Sequence, residues 1–348
     1  MSAPPAETDA GMGGSAGSPG MRFAVDGWDP GYGTSLDMED DLGESSADVV
    51  TDIERPETHW AAVDPPRDVR TPGAVLFVDG VRRIEARIWI DDISESGPAT
   101  DASAALCASY AAGTVCCCSA GAHLLTAEPR RGLFTIAPHA VDIRTWAGTY
   151  TVTQATPDPA QSLAVALSAA LQRKLGELEV FTATAARDSL SEHGIAAEDD
   201  LLVIDGPLRG RQHLPRTLGY IKSHRSSYLP IELHRMVGTL TAGQRTPVFK
   251  MGTSWERHSW YLRLPCLPAA PWAGVVRLEC NADLAAAEAI ELANLTQVVL
   301  PRFGSAEYKD ARAPNNLYPI AGLERELRRR LGDARVLYRS LRRATSSR

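Results

Sequence analysis

The sequence predicts an α/β or α+β fold built on a mixed sheet. Three observations point there. Strongly apolar, β-rich runs recur at "AVLFVDG", "EARIWID", "GTVCCCSAGAHLL" and "LLVIDG". A long Ala-, Leu- and Glu-rich stretch separates the third run from the fourth, and further strand-like and helix-like segments alternate after it. No internal repeat is evident.

Residues 1–20, "MSAPPAETDAGMGGSAGSPG", are small, Gly- and Pro-rich and almost without large apolar side chains, which reads as a disordered leader. Aromatic residues return at "RFAVDGWDPGYGTS", where the folded part begins, and 21–348 reads as one domain. Between Ala74 and Leu125 three β-rich stretches follow one another, and the alternation from Ile84 to Ile90 marks a half-buried antiparallel strand. A meander is the simplest arrangement. From about Ala160 to His193 the pattern turns helical and closes at Gly194, a suitable C′ residue, with Gly176 as a point where the helix could divide in two. The strand Leu201 to Ile204 follows and runs into Asp205. "RHSWYLRLP" and "AGVVRLEC" read as later strands, Asp283 to about Leu295 as a helix, and about 320–345 as a basic C-terminal helix.

With 348 residues, 44% hydrophobic and 23% charged, the chain can bury a sizeable core and has an ordinary soluble composition. It contains no run of about 18 uncharged apolar residues and no basic n-region leading into an apolar h-region, so a cytoplasmic, non-membrane protein is expected. Of the six cysteines, Cys116, Cys117 and Cys118 are adjacent and none has the CxxC spacing of a structural zinc site. Side chains alternate along a strand, so the three cannot all point one way. They read as free, buried, small apolar residues in a reducing compartment.

The net charge of −7 is unevenly distributed. Residues 1–66 hold 14 acidic and 2 basic side chains, whereas 301–348 hold 12 basic and 5 acidic, a local balance of +7. A basic segment of this kind is the footprint phosphates need, and it is equally a solvated arginine-rich helix face. "GWDPGYGTS" carries neither a Walker lysine nor a strand-to-helix context, so no bound nucleotide is expected.

The carboxylates hold the functional argument. Asp79-Gly80 and Asp205-Gly206 both end apolar runs. An Asp-Gly pair is a hairpin-turn signal, because both residues tolerate positive φ. It also sets a carboxylate at the end of a central strand, and two such strands side by side bring Asp79 and Asp205 within metal-bridging distance. Oxygen-only ligation suits Mg²⁺ or Mn²⁺, and two such ions can activate a water and stabilise the leaving oxygen of a phosphodiester. A third carboxylate belongs on the intervening helix. Asp188 is favoured, Glu192 lies one turn on and shares its face, and Glu177 and Glu179 are earlier options.

The ordered set "VLFVDGVRR…EARIWI", "LLVIDGPL", "LGYIKSH", "GVVRLEC" and "NNLYPIAGLEREL" resembles the NurA family of DNA-end-processing nucleases over roughly residues 74–330. The resemblance implies a ribonuclease-H-like mixed sheet flanked by helices, with additional strands and a C-terminal helix. It further implies Mn²⁺-dependent (or Mg²⁺-dependent) nuclease activity, a homodimer with a central DNA channel, and a hexameric ATPase partner called HerA. Asp79 and Asp205 then stand for the family's strand ligands, Asp188 or Glu192 for the helix carboxylate, and Lys222 for its lysine, where a cation meets a phosphate. The family tends to follow a proline with Ala-His or Ala-Asp. Here Pro319 is followed by "IAGLEREL", so Glu324 or Glu326 would take that place. Arg209, Arg211 and Arg225, near His213, Arg216 and His224, read as a phosphate-tracking loop, and Tyr261 as a weaker candidate. The expected activity is therefore metal-dependent cleavage of DNA. Its rival is a catalytically degenerate relative that binds DNA or the ATPase as an assembly module.

Overall fold

The computed structural model describes residues 23–25, 47–91, 102–192, 199–222, 227–266, 272–306, 308 and 313–346. The leader, "GWDPGYGTS", His224 and Arg225 lie outside the described residues.

The strands are β1 (Phe23–Val25), β2 (Asp48–Val50), β3 (Ala74–Asp91), β4 (Ala102–Cys118), β5 (Gly121–Thr135), β6 (Ile143–Thr145), β7 (Gly148–Gln154), β8 (Asp200–Asp205), β9 (Thr217–Ile221), β10 (Phe249–Gly252), β11 (Glu256–Arg263) and β12 (Val275–Asn281). The helices are α1 (Leu163–Glu192), α2 (Ile231–Thr239), α3 (Ala286–Val299), α4 (Tyr318–Arg330) and α5 (Ala334–Ser346). The sheet runs in the order β2-β10-β11-β12-β9-β8-β3-β4-β5-β7-β6, with β1 also on β3. Its centre is an antiparallel meander β3–β4–β5, then the crossover helix α1, then β8 parallel to β3 and β9 parallel to β8. This is a ribonuclease-H-like mixed sheet with additional strands at both edges.

The meander exists, but its strands differ from the expected ones. "AVLFVDG" and "EARIWID" are one 18-residue strand, β3, with a bulge between Ile84 and Ala86. The Asp-Gly pair at 79–80 therefore makes no turn. The cross-strand ladder with β4 runs straight through it, pairing Asp79 with Gly113 and Gly80 with Ala112. At 205–206 a hairpin is likewise absent, because β9 runs parallel to β8 and must be reached by a crossover. Gly206 adopts φ 106°, which ends β8.

Strand alternation sorts the apolar residues onto two faces. On one, Val75, Phe77, Leu201, Val203 and Leu218 pack with Leu292, Leu295 and Val299 of α3 and with Leu317 and Ile320 at the start of α4. On the other, Leu76, Val78, Leu202 and Ile204 pack with Ala183 and Leu190 of α1. Side chains such as Phe77 and Leu76 are fully buried, each contributing about 1.5–3 kcal/mol from area removed from water. Gly176 does not divide α1, which continues through it, and its open side faces the Arg211 guanidinium. The basic C-terminal segment is two helices rather than one, broken at Gly332, where φ is 84°.

Candidate active site

Parallel pairing of β3 with β8 aligns Val78 with Ile204, so the next residues, Asp79 and Asp205, lie side by side. Adjacent strands are about 4.8 Å apart, and alternation gives both aspartates the face of Phe77 and Val203. Here β8 stops while β3 continues. Among the described residues, β3 is paired on this edge by β8 through Val78 and by β1 only from Ile88, so Asp79 lies just past the last β8 pair.

A third carboxylate, Glu179, comes from α1 on the other face of the sheet, beside Gly80, and is near enough to repel both aspartates. Leu171, Leu175, Leu178, Thr182 and Ala186 form the buried stripe of this helix, and Glu179 lies within it at 4% exposure. It can approach because residue 80 is glycine: a Cβ there would lie 2.4 Å from Glu179 Oε1. Arg211, itself buried, donates to Glu179 and, through Nη1, to the Pro207 carbonyl at 2.9 Å. On the aspartate side Lys222 Nζ donates to Asp205 Oδ2 at 2.6 Å and to Asn316 Oδ1 at 3.2 Å. Asn316 is fully buried just ahead of α4, and Tyr220 donates to the neighbouring Asn315 carbonyl at 2.7 Å.

The electrostatics follow from crowding acids in a place water hardly reaches. Burial, then repulsion by Asp205 and Glu179, holds Asp79 well above the usual carboxylate range, although the Gly80 amide and Lys222 pull the other way. Burial raises Glu179 to about 7 against the opposing pull of Arg211, with Asp205 raising it further. Burial and the Asp205 charge push the Tyr220 phenol up as well. Buried oxygen donors that repel one another are a fitting donor set for a hard divalent cation.

Of the residues singled out in the sequence, Asp79, Asp205 and Lys222 are brought together here. Asp188 is not: it is exposed, and nine residues beyond Glu179 puts it about half a turn round the helix and about 13 Å along it. Glu192 is the last residue of α1, further still along the helix. Glu324 is paired with Arg328 at 2.9 Å, and Glu326 with Arg329 and Arg330, one turn on along α4. Arg209 is exposed, whereas Arg211 is buried against Glu179 rather than turned to solvent. Tyr261 is core, stacked against Phe249. Sequence reasoning missed Asn316, for which no local signal exists, and ranked Glu179 below Asp188. The signal for Glu179 was its place in the apolar stripe of α1, where a carboxylate breaks the period.

No family profile and no curated protein matches the sequence. Among solved structures, the crystal structure of the NurA nuclease from Sulfolobus solfataricus aligns with 78% of this chain and 84% of that chain, at 10% identity and a TM-score of 0.39. Among the described residues no helix is long and apolar enough to cross a membrane.

Proposed function

We propose that the chain is a divalent-metal-dependent nuclease acting on DNA. The observation that carries this reading is the mutual electrostatic repulsion of Asp79, Asp205 and Glu179, two of them buried with raised proton affinity, with Lys222 paired to Asp205. The three carboxylates would hold Mn²⁺ or Mg²⁺. Bound there, the ions would supply an activated water and stabilise the charge on the leaving oxygen of a phosphodiester.

The protein's own groups divide the remaining work. Gly80 leaves the room Glu179 needs, and Arg211 fixes that carboxylate from behind. Asn316 holds the Lys222 ammonium at the cluster, where a cation can meet a phosphate oxygen. Exposed Arg209 and the basic helices α4 and α5 offer charge for the DNA backbone. The homodimer and the HerA-like hexameric ATPase implied by the resemblance belong to the same reading, as does a cytoplasmic location.

The test is degradation of end-labelled linear DNA with Mn²⁺, Mg²⁺ or EDTA, comparing the wild type with Asp205→Asn. Metal-dependent digestion lost in the variant supports the reading. A second reading, a degenerate binding module, is favoured by one observation: Lys222 and Arg211 already neutralise Asp205 and Glu179. Salt-sensitive DNA binding by both proteins with digestion by neither, even beside the ATPase, would establish that alternative.

A further inference from the structure

We propose that Cys116, Cys118 and His123 form a second metal site, for a thiophilic divalent ion such as Zn²⁺. Strand alternation separates the three adjacent cysteines: Cys116 packs on the α1 face with Leu76, Ala183 and Leu190, with Cys118 beside it, while Cys117 turns to the α3 face. The antiparallel β4–β5 ladder sets His123 directly opposite Cys116 and Gly121 opposite Cys118. The hairpin closes through Gly121, whose φ of 101° a side-chain-bearing residue rarely adopts. As a result the two sulfurs and a ring nitrogen lie within 4.8 Å of one another. Tetrahedral zinc, with bonds of about 2.0–2.3 Å, sets its ligands about 3.4–3.8 Å apart, so the three need to draw in by about 1 Å.

Packing alone accounts for Cys116, which is fully buried, and for Cys117, which is part of the apolar layer opposite. It does not account for the other two. Cys118 is half-buried and His123 is exposed, so neither is required to fill the core. A site closed by protein on the Cys116 side and open on the His123 side leaves room for a solvent ligand in the fourth position. Its sulfur and nitrogen donors select a different class of ion from the oxygen donors at Asp79. It is also remote from them. Cys118 pairs with Ala74, five residues before Asp79 on β3, which is about 16 Å away along the strand. The site would clasp the β4–β5 turn beside the end of α1, where Arg187 and Asp200 form a buried ion pair at 2.6 Å.

The experiment uses the full-length chain stripped of metal by a chelator. Zn²⁺ is titrated against a chromophoric competitor, and Co²⁺ serves as a spectroscopic probe. One equivalent of Zn²⁺ should bind, and Co²⁺ should give thiolate charge-transfer absorption with the intense visible bands of tetrahedral coordination. His123→Ala, at an exposed position, and Cys118→Ser should each weaken Zn²⁺ binding about 100-fold or more with unchanged circular dichroism. Asp205→Asn should leave it intact. A Co²⁺ spectrum without thiolate absorption, stoichiometric binding that survives both substitutions, or a Cys116–Cys118 disulfide in the protein as purified would overturn the proposal.

Discussion

Two buried carboxylates of this protein are surrounded in opposite ways. Glu279 on β12 is fully buried, with the guanidinium groups of Arg257 and Arg277 at 3.1 and 2.9 Å and the Leu208 amide donating at 2.6 Å. Asp79 on β3 is nearly as buried, yet two further carboxylates press on it, and the compensating contacts are its own neighbour's amide and the more distant Lys222. The first arrangement is complete, and the second calls for positive charge. A buried acid that the fold has neutralised holds strands together, whereas one crowded by other acids is held ready for something that binds.

The largest expected effect would break this contrast if it failed to appear. Glu279→Gln leaves Arg257 and Arg277 buried without their counter-charge and should lower stability by about 3–5 kcal/mol, read from the urea midpoint. At the other site, Asp205→Asn should cut metal-dependent DNA cleavage about 10²–10³-fold with a much smaller change in stability, because relief of the repulsion on Asp79 and Glu179 offsets the loss of the Lys222 ion pair. An equal loss of folding in both variants would erase the distinction. Gly80→Ala comes next. Its methyl would lie 2.4 Å from Glu179 Oε1 and 2.8 Å from Leu175, so about 1–3 kcal/mol of stability should go, together with activity.

Proton affinity sharpens the comparison further. Glu179 is raised to about 7, so the folded chain holds a proton that the unfolded chain, with an ordinary glutamate, has already released. The stabilisation is therefore fully present at low pH and is lost as pH rises through about 7, and Asp79 acts in the same direction. With EDTA present, Tm should fall between about pH 5 and pH 8, and Glu179→Gln should flatten that fall. Added Mn²⁺ should raise Tm more at the upper end, where the carboxylates are charged. The smallest effect is expected for the exposed Asp188: Asp188→Ala should change stability by no more than about 0.5 kcal/mol and leave cleavage unaltered.

The sequence was most legible where apolar runs ended in aspartate, since one of the two readings of those runs, central strands with their acids at one level of the sheet, is the arrangement of β3 and β8. It was less legible where length defied habit. An 18-residue strand is far longer than the usual five or six, so β3 reads as two strands joined by a turn. On the helix, Asp188 and Glu192 read as a matched pair on one face, whereas Asp188 is exposed and the carboxylate set in the buried stripe is Glu179. Asn316 stood outside any pattern, because its position depends on where the chain returns after α3, and no local spacing carries that information.

The separation of the converging residues along the chain has a consequence for synthesis. Asp79, Glu179, Asp205, Lys222 and Asn316 draw on three elements and two connecting segments, and the pairing of β3 with β8 closes a loop of more than a hundred residues. A nascent chain that has emerged only as far as α1 has Asp79 but no strand to set beside it, and Lys222 lacks its amide partner until the segment before α4 has left the ribosome. On the nuclease reading proposed above, the cutting site would thus stay unassembled throughout nearly all of the chain's own translation.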